Sequence, residues 1–402
     1  MKKYITLFIL LLTLVSCEQF KEVTDVPVIA NISASVAVTS NAVASDVPRP
    51  DTYTVKFINY DDNYEVAKTT DANGKVSVAD IIPGIYTVTV TGDIAYKGFT
   101  YYYSGSIVNE KITTSGNNFT IDVNASKAGD LIIKEIYYNG STGYYFKDQF
   151  YEIYNNGEEV QYVDGLCIGT LLPLTATTAT YNWEVPDGMP ENYVYFGVIW
   201  QAPGSGTDYP VLPGESVIIA QLAHNHTAAD KNPLSPVDLS GAEFETFIKN
   251  QTVNADNPNA INMEHRFGTV YGTQWLATVF GAAYCIFFPD GEIDPNTYVQ
   301  PTGKTDKSKN IPIDLIVDGV ELVNNATKIT YKRMPTTLDA GATFTGGTYN
   351  GKSVSRRIKE TLSDGRVIYW DTNNSTDDFQ VNDAAMVRRN GAGIPSWNTW
   401  AK

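Results

Sequence analysis

Alternation with a period of two residues runs through this chain, while amphipathic helical periodicity is scarce. From Val28 to Val38 the even positions read Val, Ala, Ile, Ala, Val and Val, and most odd ones are polar. That is the pattern of a strand with one buried face. Tyr53, Val55 and Phe57 repeat it, as do Tyr86, Val88 and Val90, with turn signals between them at Asp71-Ala72-Asn73-Gly74 and Pro83-Gly84. Sheets with one apolar face must pack against another layer, so the expected class is all-β, built as β-sandwiches. The 402 residues are 43% hydrophobic and 12% aromatic, which excludes disorder over most of the length. Acidic residues outnumber basic ones by 45 to 29, and a net charge of -16 repels phosphate backbones, so no nucleic-acid partner is expected.

The first residues predict a compartment. Lys2 and Lys3 precede an apolar stretch from Ile5 to Leu14, too short for a bilayer core of about 30 Å, which reads as a signal peptide over 1–16. Leu14-Val15-Ser16-Cys17 resembles the lipobox of bacterial lipoproteins, in which Cys17 is lipidated and becomes the first residue. Residues 17–22 then form a lipid-anchored linker. Glu18 and Glu22 within it resemble the export signal that sends lipoproteins of gut Gram-negative anaerobes to the outer face of the outer membrane. Cys167 and Cys285 both lie in apolar runs and read as buried free thiols, although an oxidising compartment allows a single disulfide.

Two domains are expected after the linker. Thr69 to Ser77, followed by Ile82 to Val88, resembles the "T-D-x-x-G" turn and "P-G-x-Y" strand opening of the carboxypeptidase-regulatory or prealbumin-like β-sandwich, placed at 23–126. Ala125 to Asp130 is small and polar and reads as a linker. Ile133 to Gly140, Tyr151 to Asn156 and Val163 to Leu166 then look like the opening strands of a lamin-tail-like domain, an immunoglobulin-like sandwich, at 130–390. Its excess length is assigned to long loop insertions at about 170–281, and residues 391–402 to a tail. The run from Leu212 through Asn225-His226-Thr227, Ser235 to Ser240 and Asp256 to Pro258 resembles the DUF4876 family of lipoproteins. That resemblance implies association with an outer-membrane TonB-dependent transporter.

No residue pattern specifies a catalytic centre. Glu135 and Glu152 lie in adjacent expected strands, where Arg356 or Arg357 is the expected structural partner of a half-buried acid. G-x-S-x-G and the P-loop are absent. Asp371, Asn373, Asp377 and Asp378 crowd one loop, but the Gly and Glu of an EF-hand are misplaced there. His224 and His226 share a side if the backbone is extended, a spacing compatible with metal or haem iron, yet no complete ligand set accompanies them. No metal and no cofactor are expected. Tyr144, Tyr145 and Phe146 sit between two framework strands with little core to fill, so they and His224 and His226 are the candidate ligand-binding residues.

The expected protein is a non-catalytic, lipid-anchored surface protein of the outer membrane that captures a small molecule or glycan or assists a transporter. A structural or adhesive protein that binds a protein or glycan partner is the alternative. The anchor has a direct test. Cys17→Ala should leave the precursor unprocessed or release the protein from membranes, as read by fractionation; membrane retention of a correctly cleaved variant would contradict the assignment.

Overall fold

The computed structural model describes residues 32–40, 47–97, 99–127, 129–248, 255–268, 275 and 277–401. Cys17, the leader and the acidic stretch lie outside these residues. What is described is almost entirely strand and loop.

Seven strands form the N-terminal sandwich: β1 (Ile32–Ser40), β2 (Thr54–Asn59), β3 (Tyr64–Thr69), β4 (Lys75–Ile81), β5 (Gly84–Tyr96), β6 (Phe99–Ile112) and β7 (Asn117–Lys127). Their order is β3-β2-β5-β6-β7-β1-β4, with β1 parallel to β7 and antiparallel to β4. The alternating residues are the reason it closes: Ile32, Ala34 and Val36 share a core with Val55 and Phe57 and with Tyr86, Val88 and Val90. The Asp71 carboxylate accepts from the backbone N–H of Asn73 and of Lys75, which shapes the turn between β3 and β4. Ala125, Ser126 and Lys127 belong to β7, so strand continues through most of the stretch whose composition reads as a linker.

The C-terminal sandwich takes the remaining strands. These are β8 (Leu131–Tyr137), β9 (Phe150–Asn155), β10 (Gln161–Tyr162), β11 (Cys167–Leu171), β12 (Tyr193–Gln201), β13 (Pro210–Val211), β14 (Ser216–Ala220), β15 (Phe244–Glu245) and β16 (Ile261–Asn262). After them come β17 (Glu264–Gly268), β18 (Ala283–Phe287), β19 (Lys309–Pro312), β20 (Ile316–Glu321), β21 (Ser353–Arg356), β22 (Ile358–Thr361), β23 (Val367–Tyr369) and β24 (Phe379–Asn382). One sheet runs β16-β15-β14-β9-β8-β21-β24 and the facing one β17-β12-β11-β18-β20. Ile133, Ile153 and Ile219 from the first meet Ile168, Trp200 and Ile286 from the second in the central core.

Both sheets are also covered on their outer faces. Phe196, Ile199, Phe267 and Cys285 form a second core behind one, and Ile132, Tyr154, Val367 and Tyr369 a smaller one behind the other. Strands β8, β9, β11, β14 and β18 are therefore buried along their whole length, as continuous apolar runs require. The stretch 170–281, expected as loop insertions, is in good part framework: β12 pairs with β11 and β17, and Trp200 sits in the central core. Cys167 and Cys285 are buried and free.

Arg356, fully buried, ties these layers together. Its Nη2 lies 2.8 Å from both carboxylate oxygens of Asp318, its Nη1 3.1 Å from Asp371 and 3.2 Å from Asp378, and its Nε donates to the Ile133 carbonyl at 3.0 Å. Burial pushes the carboxyls of Asp318 and Asp378 above the usual range. Removing this cation would strand buried carboxylates, at a cost of about 3–5 kcal/mol. Arg356→Met should lose stability by that amount in urea at pH 8, and the loss should shrink at pH 5, where orphaned carboxyls take up protons. Equal losses at both pH values would contradict a charge-based role.

Candidate functional site

The loop after β8 contains the strongest local anomaly. Ser141 and Tyr145 exchange backbone hydrogen bonds of 2.7 and 3.2 Å around Thr142, Gly143 and Tyr144. Gly143 and Tyr144 both take left-handed conformations, at φ 90° and 60°. Glycine adopts this freely; a bulky residue does so at a cost of about 1–3 kcal/mol, and only where surrounding structure imposes it. Tyr144 is 79% exposed. Its ring meets that of Tyr349 edge-on at 5.1 Å, and Tyr349 is left-handed as well, at φ 54°. Two tyrosines in a disfavoured conformation touch at the surface.

The scaffold beneath them is polar and hydrogen-bonded. Asp148 is buried, and its Oδ2 accepts from the hydroxyls of Ser141 (2.8 Å), Ser235 (2.7 Å) and Tyr137 (3.1 Å). Burial raises its carboxyl. The Asn232 amide donates to Ser141 Oγ and to the Thr142 carbonyl, both at 2.9 Å. On the other side Tyr349 N–H donates to Asn139 O at 2.7 Å and Gly351 N–H to Gly140 O at 3.0 Å. Loops 139–148, 232–235 and 349–351 thus hold one another.

His226 joins the same assembly. Its Nε2 lies 2.9 Å from the Leu222 carbonyl, which only accepts, so that nitrogen carries the proton; Nδ1 then accepts from the Tyr145 hydroxyl at 2.7 Å. With both nitrogens used, His226 acts as a strut between the two loops. Burial lowers its pKa to about 4. His224 is half-exposed and donates through Nε2 to the Ala255 carbonyl at 2.8 Å, and the two rings stand 6.3 Å apart. Among the described residues no three His, Cys, Asp or Glu side chains gather as a metal would need. Tyr144, Tyr145, His224 and His226 therefore share one edge of the sandwich. Tyr349 and Asp148 belong there too; Gly346-Gly347-Thr348-Tyr349-Asn350-Gly351, an aromatic flanked by glycines, was the available signal for the first.

The acids singled out in the sequence are spent elsewhere. Glu135 and Glu152 face each other across β8 and β9, both fully buried. Arg389 pairs with Glu135 at 2.9 Å and Lys134 with Glu152 at 2.8 Å, so the partners are not Arg356 or Arg357. A bulge at Lys134 places it and Glu135 beside each other. Asp371 and Asp378 serve Arg356, and Asp377 pairs with Lys56 of β2.

A family model for DUF4876, proteins of unknown function, matches residues 212–386. Among solved structures, a DUF4876 family protein from Bacteroides thetaiotaomicron is 38% identical, covering 91% of this chain and 99% of its own, with a TM-score of 0.62. The chain belongs to the DUF4876 family. A proposed adhesin of Bacteroides ovatus matches at 10% identity, covering 74% of this chain and 87% of its own, with a TM-score of 0.17. The major pilin subunit BcpA of Bacillus cereus matches at 14% identity, 70% and 95% coverage and 0.16. No curated protein matches. In this DUF4876 member the tyrosine edge has a pH signature through His226. Its folded pKa lies below the ordinary 6.5, so its contribution is present above pH 6.5 and lost as pH falls toward 4. Between pH 7.5 and 4.5 wild type should lose about 2–3 kcal/mol more than His226→Gln in urea unfolding; parallel losses would contradict the neutral strut.

Proposed function

We propose that this DUF4876 protein is a non-catalytic, lipid-anchored binding module of the outer-membrane surface, and that the Tyr144–Tyr349 clamp makes its contact with a ligand or an outer-membrane transporter. The observation that carries the reading is the pair of left-handed tyrosines. Backbone strain at an exposed tyrosine and its half-buried partner contributes nothing to a core, and such outliers cluster at ligand clamps. Tyrosine offers a flat apolar face with a hydroxyl, at little entropic cost because only two torsions are fixed. The loops beneath are locked by Asp148, so the rings are presented pre-organised, which spares ordering cost on binding. Arg389 on Glu135, Lys134 on Glu152 and the Tyr145 hydroxyl on His226 give these groups structural partners, which supports a binding role over acid–base chemistry. Attachment through Cys17 would place this edge before partners in or on the membrane.

Tyr144→Gly separates function from stability. Relief of the left-handed strain should raise stability by about 1 kcal/mol, while partner contact is lost. The contact itself is read by a photo-reactive aromatic residue installed at position 144 in living cells. Adducts with an outer-membrane transporter or surface glycan are expected there and not at exposed Leu234. No adduct above that control, or undiminished partner capture by Tyr144→Gly, would contradict the proposal.

A further inference from the structure

A cavity of about 820 Å3 opens between the two sandwiches, within the range of roughly 300–1,000 Å3 that small-molecule sites occupy. One wall comes from the β2–β3 hairpin, with Tyr60, Asn63 and Glu65; the other carries Phe344, Arg357, Trp370 and Gln380. The joint around it is packed. Tyr60 meets Phe344 edge-on at 5.4 Å, and both pack with Val108 against Val323 and Ile329. Ser106 donates to the Ala340 carbonyl, and Gly341 passes so close that an added Cβ would lie 2.1 Å from Asn374 Oδ1.

We propose that this cavity, a site separate from the tyrosine clamp, binds a neutral or weakly acidic oligosaccharide. The ions at its base are already neutralised, Lys56 by Asp377 and Asp378 by Arg356. What remains unspent is of one kind. Among the described residues the Arg357 guanidinium, the amides of Asn63 and Gln380 and the Trp370 indole N–H have no protein partner, and all four line the same space. These are planar groups that together donate and accept, as sugar hydroxyls require. Trp370, whose ring also carries the Lys359 ammonium at 5.4 Å, and Phe344 add flat aromatic surface for the C–H side of a sugar ring. The Arg357 backbone is held on both sides: its N–H donates to Asp378 O at 2.7 Å, and its carbonyl accepts from Trp370 N–H at 3.0 Å. Arg357 and Trp370 are thereby fixed side by side at the backbone, and binding need order only their side chains. Charge narrows the class. With those pairs spent, Arg357 is left opposite Glu65 in the lining, and the chain carries -16, so polysulfated glycans and phosphates are disfavoured.

The test uses the mature protein in detergent and oligosaccharides from xylan, mannan, β-glucan, polygalacturonate and chondroitin sulfate, read by titration calorimetry and tryptophan fluorescence. At least one neutral or uronate probe should bind, and Trp370→Ala and Arg357→Ala should each weaken it at least tenfold. Arg357→Ala and Gln380→Ala decide the matter if Trp370→Ala fails to fold, because their side chains make no contact that folding needs. Absence of binding by every probe, binding that survives these substitutions, or chondroitin sulfate as the preferred probe would overturn the proposal. Binding abolished by Tyr144→Gly and untouched by Arg357→Ala would overturn it too while leaving the clamp standing.

Discussion

The arrangement of layers in the C-terminal sandwich and the seat it offers the N-terminal one depend on the buried Arg356 and its three aspartates. Arg356 leaves β21, bonds the Ile133 carbonyl of β8 in its own sheet and reaches Asp318 of β20 in the facing one. It thereby pins the two layers of the C-terminal sandwich, beside the bond that the Ile133 N–H itself donates to Asp318 at 2.6 Å. Asp371 and Asp378 bring in the 371–378 loop, and that loop is the one the N-terminal sandwich grips through Lys56 on Asp377 and Ser104 on the Asn373 carbonyl. A charge cluster of this kind rarely adds stability over a hydrophobic replacement. Its effect here is to specify one arrangement of layers and one seat for the neighbouring domain.

The same logic recurs wherever a polar group is buried. Asp148 gathers three hydroxyls from three segments, and Glu321 accepts from Arg333 and from the backbone of Arg333 and Met334. Each carboxylate stands where long connections must be held against a sheet, because a loop covering an outer face carries backbone groups that need partners. Loops held in this way can keep residues in conformations that a freer chain would abandon. Tyr144 and Tyr349 are the clearest instance.

The all-β class and the N-terminal strands were legible because half-buried strands write their burial as alternation; Val55, Phe57, Tyr86, Val88 and Val90 are the core they seemed to be. The C-terminal strands announced themselves by continuous apolar runs, but Tyr193 to Gln201 was read as part of an insertion, since a strand buried on both faces shows no alternation. Ala125 to Lys127 misled in the opposite way, for small polar residues tolerate an extended strand as well as a linker. Of the site, Tyr144, Tyr145, His224 and His226 were legible as neighbours, whereas Tyr349, more than two hundred residues along, comes close only through the backbone pairing of 349–351 with 139–140. The true partners of Glu135 and Glu152, Arg389 and Lys134, were hidden for related reasons: one arrives from the C-terminal segment and the other through a bulge that periodicity does not show.

The central claim is that a rigid edge built around two left-handed tyrosines makes the functional contact. Hydrogen–deuterium exchange of the mature protein, with and without outer-membrane vesicles from its own cells, tests this most directly. The account predicts new protection concentrated in residues 141–146 and 346–351. Protection confined to the N-terminal sandwich, or no change at either tyrosine loop, would contradict it.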